Sequence, residues 1–193
     1  MPIEHAPWLP KSTEGIQGQK IAVVGYSHYY VGGPDTISLT KDVVQSVVNG
    51  GKRIAFYQAI QGYFGFADDP GFWNRVIFFN FVPDSVGPEA MKYAPGTPEQ
   101  LQRGRDRFLR IIHAEKPSKV FIFTRKGWCQ LSETLEELSG GECTPLIQGR
   151  NAPSWGTYKA GDRPVRVCGF RHPQGASGEE MRAGIKAFLE LQP

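Results

Sequence analysis

Four short, mainly apolar runs punctuate the chain: "KIAVVG" over 20–25, which is unbroken, "RVIFFNFV" over 75–82, "KVFIFT" over 119–124 and "VRVCGF" over 165–170. Each is rich in β-branched and aromatic residues, the pattern of strands buried on both faces of a parallel sheet. Between the runs the period changes. Val43, Val44, Val47 and Val48 fall at helical spacing, with Ser38 or Thr40 as the N-cap and "NGG" as the stop. "RIAFYQAIQGYFGF" begins as a helix and runs into an aromatic loop. After the second strand comes a Pro- and Gly-rich loop over 83–98, then a helix. Thr97 caps that helix, Pro98 and Glu99 open it, and Leu101, Phe108, Leu109 and Ile112 give it an apolar side. Strands alternating with helices predict an α/β fold, a three-layer α/β/α sandwich around a mostly parallel, four-stranded central sheet. Residues 1–19, with their prolines and glycines, read as an extended N-terminal arm over the body, and 20–193 as one domain.

Composition narrows this only slightly. At 193 residues with 40% hydrophobic content, the chain has enough material for one substantial core. Its net charge of +3, from 22 basic and 19 acidic residues, permits an anionic partner without requiring one. Cys129, Cys143 and Cys168 are widely spaced and contain no Cys-x-x-Cys pair, which predicts reduced thiols in a cytoplasmic protein. They are too few for a four-thiolate cluster, so no metal is expected. Neither a leader peptide nor an apolar run near the ~20 residues of a membrane helix is expected.

Ligands in open parallel sheets bind at the carboxyl edge, so the residues following the four runs carry the candidate chemistry. These are "GYSHYYVGGP", "NFVPDSVG", "TRKGWCQL" and "RHPQGASG". Asn80 lies inside a hydrophobic stretch. Its amide is either satisfied by neighbouring backbone or open to a ligand, because an unsatisfied buried amide costs about 1–3 kcal/mol. His28 reads either as a polar loop residue or as a catalyst, and His172 either as part of a turn or as a site residue. Taken together, one amide and two imidazoles at strand ends describe a polar pocket. The donor and acceptor of an Asn amide match the edge of a planar base. Tyr29, Tyr30, Phe64 and Phe66 are candidate stacking surfaces, and the phenylalanines are equally candidates for local packing.

On these motifs the chain resembles the uracil-DNA glycosylase superfamily from Lys20 to Leu191. "VVGYSHYY" is similar to its first motif, which in one bacterial and phage branch reads Gly-Glu-Ser-His-Tyr. "VIFFNFVP" is similar to the strand bearing the base-reading Asn, "KVFIFTRKGWCQL" to a later strand and helix start, and "FRHPQGAS" to the His-Pro-Ser motif beside the flipped nucleotide. The resemblance implies that Asn80 reads the base edge. It implies that His172 donates to the base as negative charge develops on it. It further implies that Arg171, Pro173, Gln174, Gly175 and Ser177 approach the DNA, and that Arg125 and Lys126 contact phosphates. The implied enzyme flips a deaminated or damaged base and hydrolyses its glycosidic bond, without cofactor or metal, as a cytoplasmic monomer with DNA as partner.

Two departures shape that expectation. Ser27 stands where the family's best-known members carry a water-positioning Asp, and Tyr26 where the similar branch has Glu. Water activation then passes to His28 or to the backbone. The alternatives are a uracil- or DNA-binding protein that does not hydrolyse or that traps the sugar covalently, and a hydrolase of free nucleosides.

Overall fold

A computed structural model describes residues 3–30, 35–88, 94–132, 144–145, 152–160 and 162–191. In chain order the strands are β1 (Ile21–Gly25), β2 (His28–Tyr30), β3 (Ile77–Asn80), β4 (Ser85–Pro88), β5 (Lys119–Ile122), β6 (Thr144–Pro145), β7 (Ser154–Ala160) and β8 (Arg163–Gly169). The helices are α1 (Leu39–Val48), α2 (Ala55–Tyr63), α3 (Pro98–Glu115), α4 (Arg125–Ser132) and α5 (Gly178–Glu190). The main sheet runs β3-β1-β5-β8-β7-β6. Its first four strands are mutually parallel and coincide with the four apolar runs.

The sheet is wider than the four strands expected. β7 folds back antiparallel on β8, and β6 pairs antiparallel with β7. "SWGTYKA" carries no unbroken apolar run because only alternate residues are covered: Gly156, Tyr158 and Ala160 are buried, whereas Trp155 and Thr157 are partly open. That alternation belongs to an antiparallel strand with one covered face. β2 and β4 form a separate, parallel two-stranded sheet beside the carboxyl edge.

Helices cover both faces, making three layers. Val23, Phe78, Phe121 and Cys168 point into the core shared with α1, α2 and α5, where Val44, Ile60, Ile185 and Phe188 are buried. Val24, Phe79, Ile122 and Val167 point the other way, onto Phe108, Ile111 and Ile112 of α3 and Leu131 of α4. The alternation follows from the two-residue period of the strands.

α3 begins as expected. Gln100 N donates to the Thr97 hydroxyl at 3.2 Å while the Gln100 side chain accepts from Thr97 N at 2.9 Å, a capping box. α1 differs. Ser38 holds the N-cap position but its hydroxyl donates to Asp42 at 2.7 Å, and Thr40 is buried within the first turn. Within residues 3–19, Trp8 exchanges both main-chain hydrogen bonds with Phe78, and its indole donates to Trp73 O at 2.7 Å. The segment therefore covers the outer side of β3, which would otherwise be an open edge. Cys129 and Cys168 are not in disulfides, and Cys143 lies outside the described residues. Among the described residues no helix is long and apolar enough to cross a membrane.

Candidate functional site

The parallel strands end at one edge. Gly25 stands opposite Asn80, and Ile122 opposite Gly169. The exits continue the ladder for one residue: Phe81 N donates to Gly25 O at 2.9 Å, Phe123 N to Val24 O at 2.8 Å and Phe170 N to Ile122 O at 2.7 Å. The chain leaves β1 towards β3 and leaves β5 towards β8 on the opposite side. This reversal of direction opens a crevice at the carboxyl ends.

Asn80 sits in that crevice on the α2 side of the sheet. It is 5% exposed, and among the described residues its side-chain amide has no hydrogen-bond partner, although its polar atoms are not sealed from solvent. Its Oδ1 lies over Gly25, where a β-carbon would approach it to 2.3 Å, so any side chain at the end of β1 would displace the Asn80 amide. Phe56 of α2 reaches the same point, with its ring edge 3.4 Å from that position. The Phe56 ring is 5.5 Å from the His172 ring at an interplanar angle of 32°. One aromatic ring thus touches the surroundings of both Asn80 and His172.

The turn after β8 fixes the chemistry of His172. Pro173–Gly175 forms a short 3-10 turn, and Gln174 N donates to His172 Nδ1 at 3.2 Å. In the neutral ring the proton therefore stands on Nε2, which is presented as a donor. Partial burial lowers the pKa of His172 below its usual 6.5. Protonating Nδ1 would also forfeit the bond from Gln174, so the neutral donor is the form at neutral pH. Arg171 braces the turn by donating to Gly175 O at 3.5 Å. Pro173 is buried, whereas Arg171, Gln174, Gly175 and Ser177 are exposed along the rim.

His28 lies beyond β1, its Nε2 3.0 Å from the Thr40 hydroxyl. Desolvation first, and then the neighbouring His5, push its pKa down to about 3. It is a neutral imidazole throughout the physiological range, able to orient a water but too weakly basic to hold its proton. Its ring meets that of His5 edge-on at 5.2 Å. His5 is 1% exposed and bonds Asp35 through Nε2 at 2.6 Å, while its Nδ1 has no partner. Burial would raise the Asp35 pKa, but the bonds from His5 and Ser85 outweigh it and hold the carboxyl below its usual range.

The remaining candidates divide. Ser27 is half-buried after β1, and Tyr29 is exposed in β2. Tyr30 lies in β2, and its side chain is outside those described. Phe64 is half-buried and packs on Phe72 and Phe121, with ring centroids at 5.1 and 4.9 Å. Arg125 and Lys126 are exposed at the start of α4. The Lys126 ammonium lies over the Tyr26 ring at 5.6 Å, and the Tyr26 hydroxyl accepts from Gly96 N at 2.9 Å. Tyr26 thus ties the loop before α3 to the start of α4. Among the described residues no group of three or more His, Cys, Asp and Glu is arranged to hold a metal ion.

Sequence reasoning missed Phe56, His5, Asp35 and Arg107. Arg107 is fully buried, and it donates to the main-chain carbonyls of both Asn80 and His5. It is a charged residue on the stripe that also carries Gly104, Phe108 and Ile111, and that placement was a usable signal. No protein-family model and no curated protein matches the chain, so a functional reading rests on this geometry.

Proposed function

We propose that the protein is a DNA glycosylase of the uracil-DNA glycosylase type, which extrudes a deaminated or damaged base and hydrolyses its N-glycosidic bond. The observation that carries this reading is the Asn80 amide: nearly buried, without a partner among the described residues, and close to a ring that also touches a histidine with a fixed donor. An amide that no protein group completes and that still reaches solvent is free to exchange water for a ligand's donor and acceptor.

The chemistry follows from charge. Breaking the bond between the sugar C1′ and the base nitrogen leaves the electron pair on the base and an oxocarbenium-like sugar. A neutral His172 Nε2–H, exposed at the rim in the free protein, would donate to the departing base and stabilise that charge once DNA covers it. Water then bonds to C1′ and releases its proton to solvent. Because the sugar is already electrophilic, a water oriented by His28 needs little basic help. Phe56, whose ring edge reaches the Gly25–Asn80 point, would form the apolar wall beside the base. The exposed Arg171, Gln174, Gly175, Ser177, Arg125 and Lys126 would meet the DNA backbone, with the protein acting as a cytoplasmic monomer without cofactor or metal.

A second reading is favoured by one observation: Tyr26 and Ser27 provide no carboxylate after β1, and His28 is a weak base. On that reading the fold binds uracil-containing DNA, or traps its sugar on a histidine, without turnover. The separating experiment is single-turnover incubation with a uracil-containing oligonucleotide. Alkali-labile product supports the glycosylase. A complex without product, whether salt-sensitive or resistant to denaturant, supports binding or trapping. Thermal stabilisation by nucleosides but not by DNA would redirect both readings to a free nucleoside.

A further inference from the structure

We propose that Arg107 is a positioning residue of this site, joining the N-terminal segment to the end of β3 and setting where the Asn80 amide stands. The inference deepens the functional reading above and rests on it for the identity of the substrate.

The reason lies in the outer edge of β3. Trp8 and Phe78 exchange both main-chain hydrogen bonds, so the next hydrogen-bonded pair of an antiparallel ladder would be Ala6 and Asn80. The ladder ends there instead. Ala6 N turns away to Ile37 O at 2.7 Å, and His5 N to Pro83 O at 2.7 Å. Two carbonyls, those of Asn80 and His5, are left at the point of divergence, and the Arg107 guanidinium donates to both. The flat fork of donors suits this task better than an ammonium does.

α3 can reach the position because of Gly104. A β-carbon there would come within 2.7 Å of Phe81 O, so the helix lies directly against the residue following Asn80. Arg107, one turn further on, is brought to the carbonyls, with its guanidinium 5.5 Å from the Phe79 ring and Nε 3.5 Å from Glu4. Desolvation lowers its pKa to about 10, partly offset by Glu4, so it remains charged at neutral pH.

The consequence reaches both halves of the site. On one side the Asn80 main chain is held; on the other, His5 is fixed with its ring against His28 and its Nε2 on Asp35. A helix residue that touches no base therefore sets the base-reading Asn80 and the histidine packed on His28, and the N-terminal segment becomes part of the site.

The test compares Arg107→Lys, Arg107→Met and, as a control, Val165→Ala. Val165 is a buried residue at the opposite end of the sheet, and its variant destabilises the fold away from the crevice. Two signals are read in the full chain: the side-chain amide resonances of Asn80, assigned by their loss in Asn80→Asp, and the single-turnover rate on a uracil-containing oligonucleotide. Both Arg107 variants should shift the Asn80 amide signals and slow base release by about 10- to 100-fold with little change in DNA affinity. Arg107→Lys should be milder than Arg107→Met. Val165→Ala should lower Tm while leaving both signals in place. If the wild-type protein releases no base but the amide still shifts in the Arg107 variants, positioning stands and the glycosylase reading fails. An unmoved amide in both variants, or an equal shift in Val165→Ala, overturns the proposal.

Discussion

Two buried polar side chains sit at opposite ends of the same sheet and are treated differently. Lys119, at the start of β5, is 2% exposed, and its ammonium donates to the carbonyls of Leu189 and Leu191 at the end of α5. Asn80, at the end of β3, is 5% exposed, and its amide has no partner among the described residues. The first group is completed by the chain itself and closes a helix terminus, a structural task. The second has no protein partner for its side chain, as the proposed base-reading role requires. Burial alone does not separate the two, but completion of the hydrogen bonds does.

The largest expected effect breaks the comparison on the Asn80 side. Asn80→Ala should slow base release by about 100- to 1,000-fold, the usual consequence of removing a positioned polar group. Since no hydrogen bond is lost in the free protein, unfolding free energy in urea should change by less than about 1 kcal/mol. Lys119→Met should do the reverse. Losing a charged donor to two carbonyls should cost about 2–3 kcal/mol of stability while leaving the release rate unchanged. A slowed rate in Lys119→Met would blur the distinction.

A third prediction concerns pH. Unfolded, His28 binds a proton near 6.5, whereas in the fold it does so only near 3. Between those values the unfolded chain carries more protons, so stability is complete above pH 6.5 and is lost as pH falls towards 3. The slope approaches about 1.4 kcal/mol per pH unit. Asp35, also held below its usual value, adds loss in the same direction at the acid end. His28→Asn, which can still bond Thr40, should flatten most of the slope in urea titrations at pH 7, 6, 5 and 4. The smallest effect is at the rim. Arg125→Ala should weaken DNA binding by only a few-fold and reduce the slope of log affinity against log salt by about 0.9.

The strands of the parallel half were readable because burial on both faces leaves a mainly apolar run, as in Ile77, Phe78 and Phe79. β7 was not, because "SWGTYKA" is covered on alternate residues only. The thirteen-residue α5 was legible only as a helix-like tail, although its apolar residues line the same core as Phe121 and Phe170. Asn80, His28 and His172 were visible as polar residues at predicted strand ends. Phe56 was hidden because its part depends on how α2 lies over Gly25, a tertiary fact with no local signature. His5 was hidden for a similar reason: Pro- and Gly-rich sequence marks irregular backbone but says nothing of burial. The aromatic expectation fell on Phe64, which the fold places against Phe72 and Phe121.

The most direct test of the central claim, that the open amide of Asn80 marks a base-excising site, is single-turnover release from one labelled uracil-containing oligonucleotide. It is run with wild-type protein and Asn80→Ala, alongside urea unfolding of both. The account predicts alkali-labile product from the wild type, its near disappearance in Asn80→Ala, and unfolding curves that nearly coincide. Product that persists undiminished in Asn80→Ala, or no product together with a large loss of stability in that variant, would contradict it.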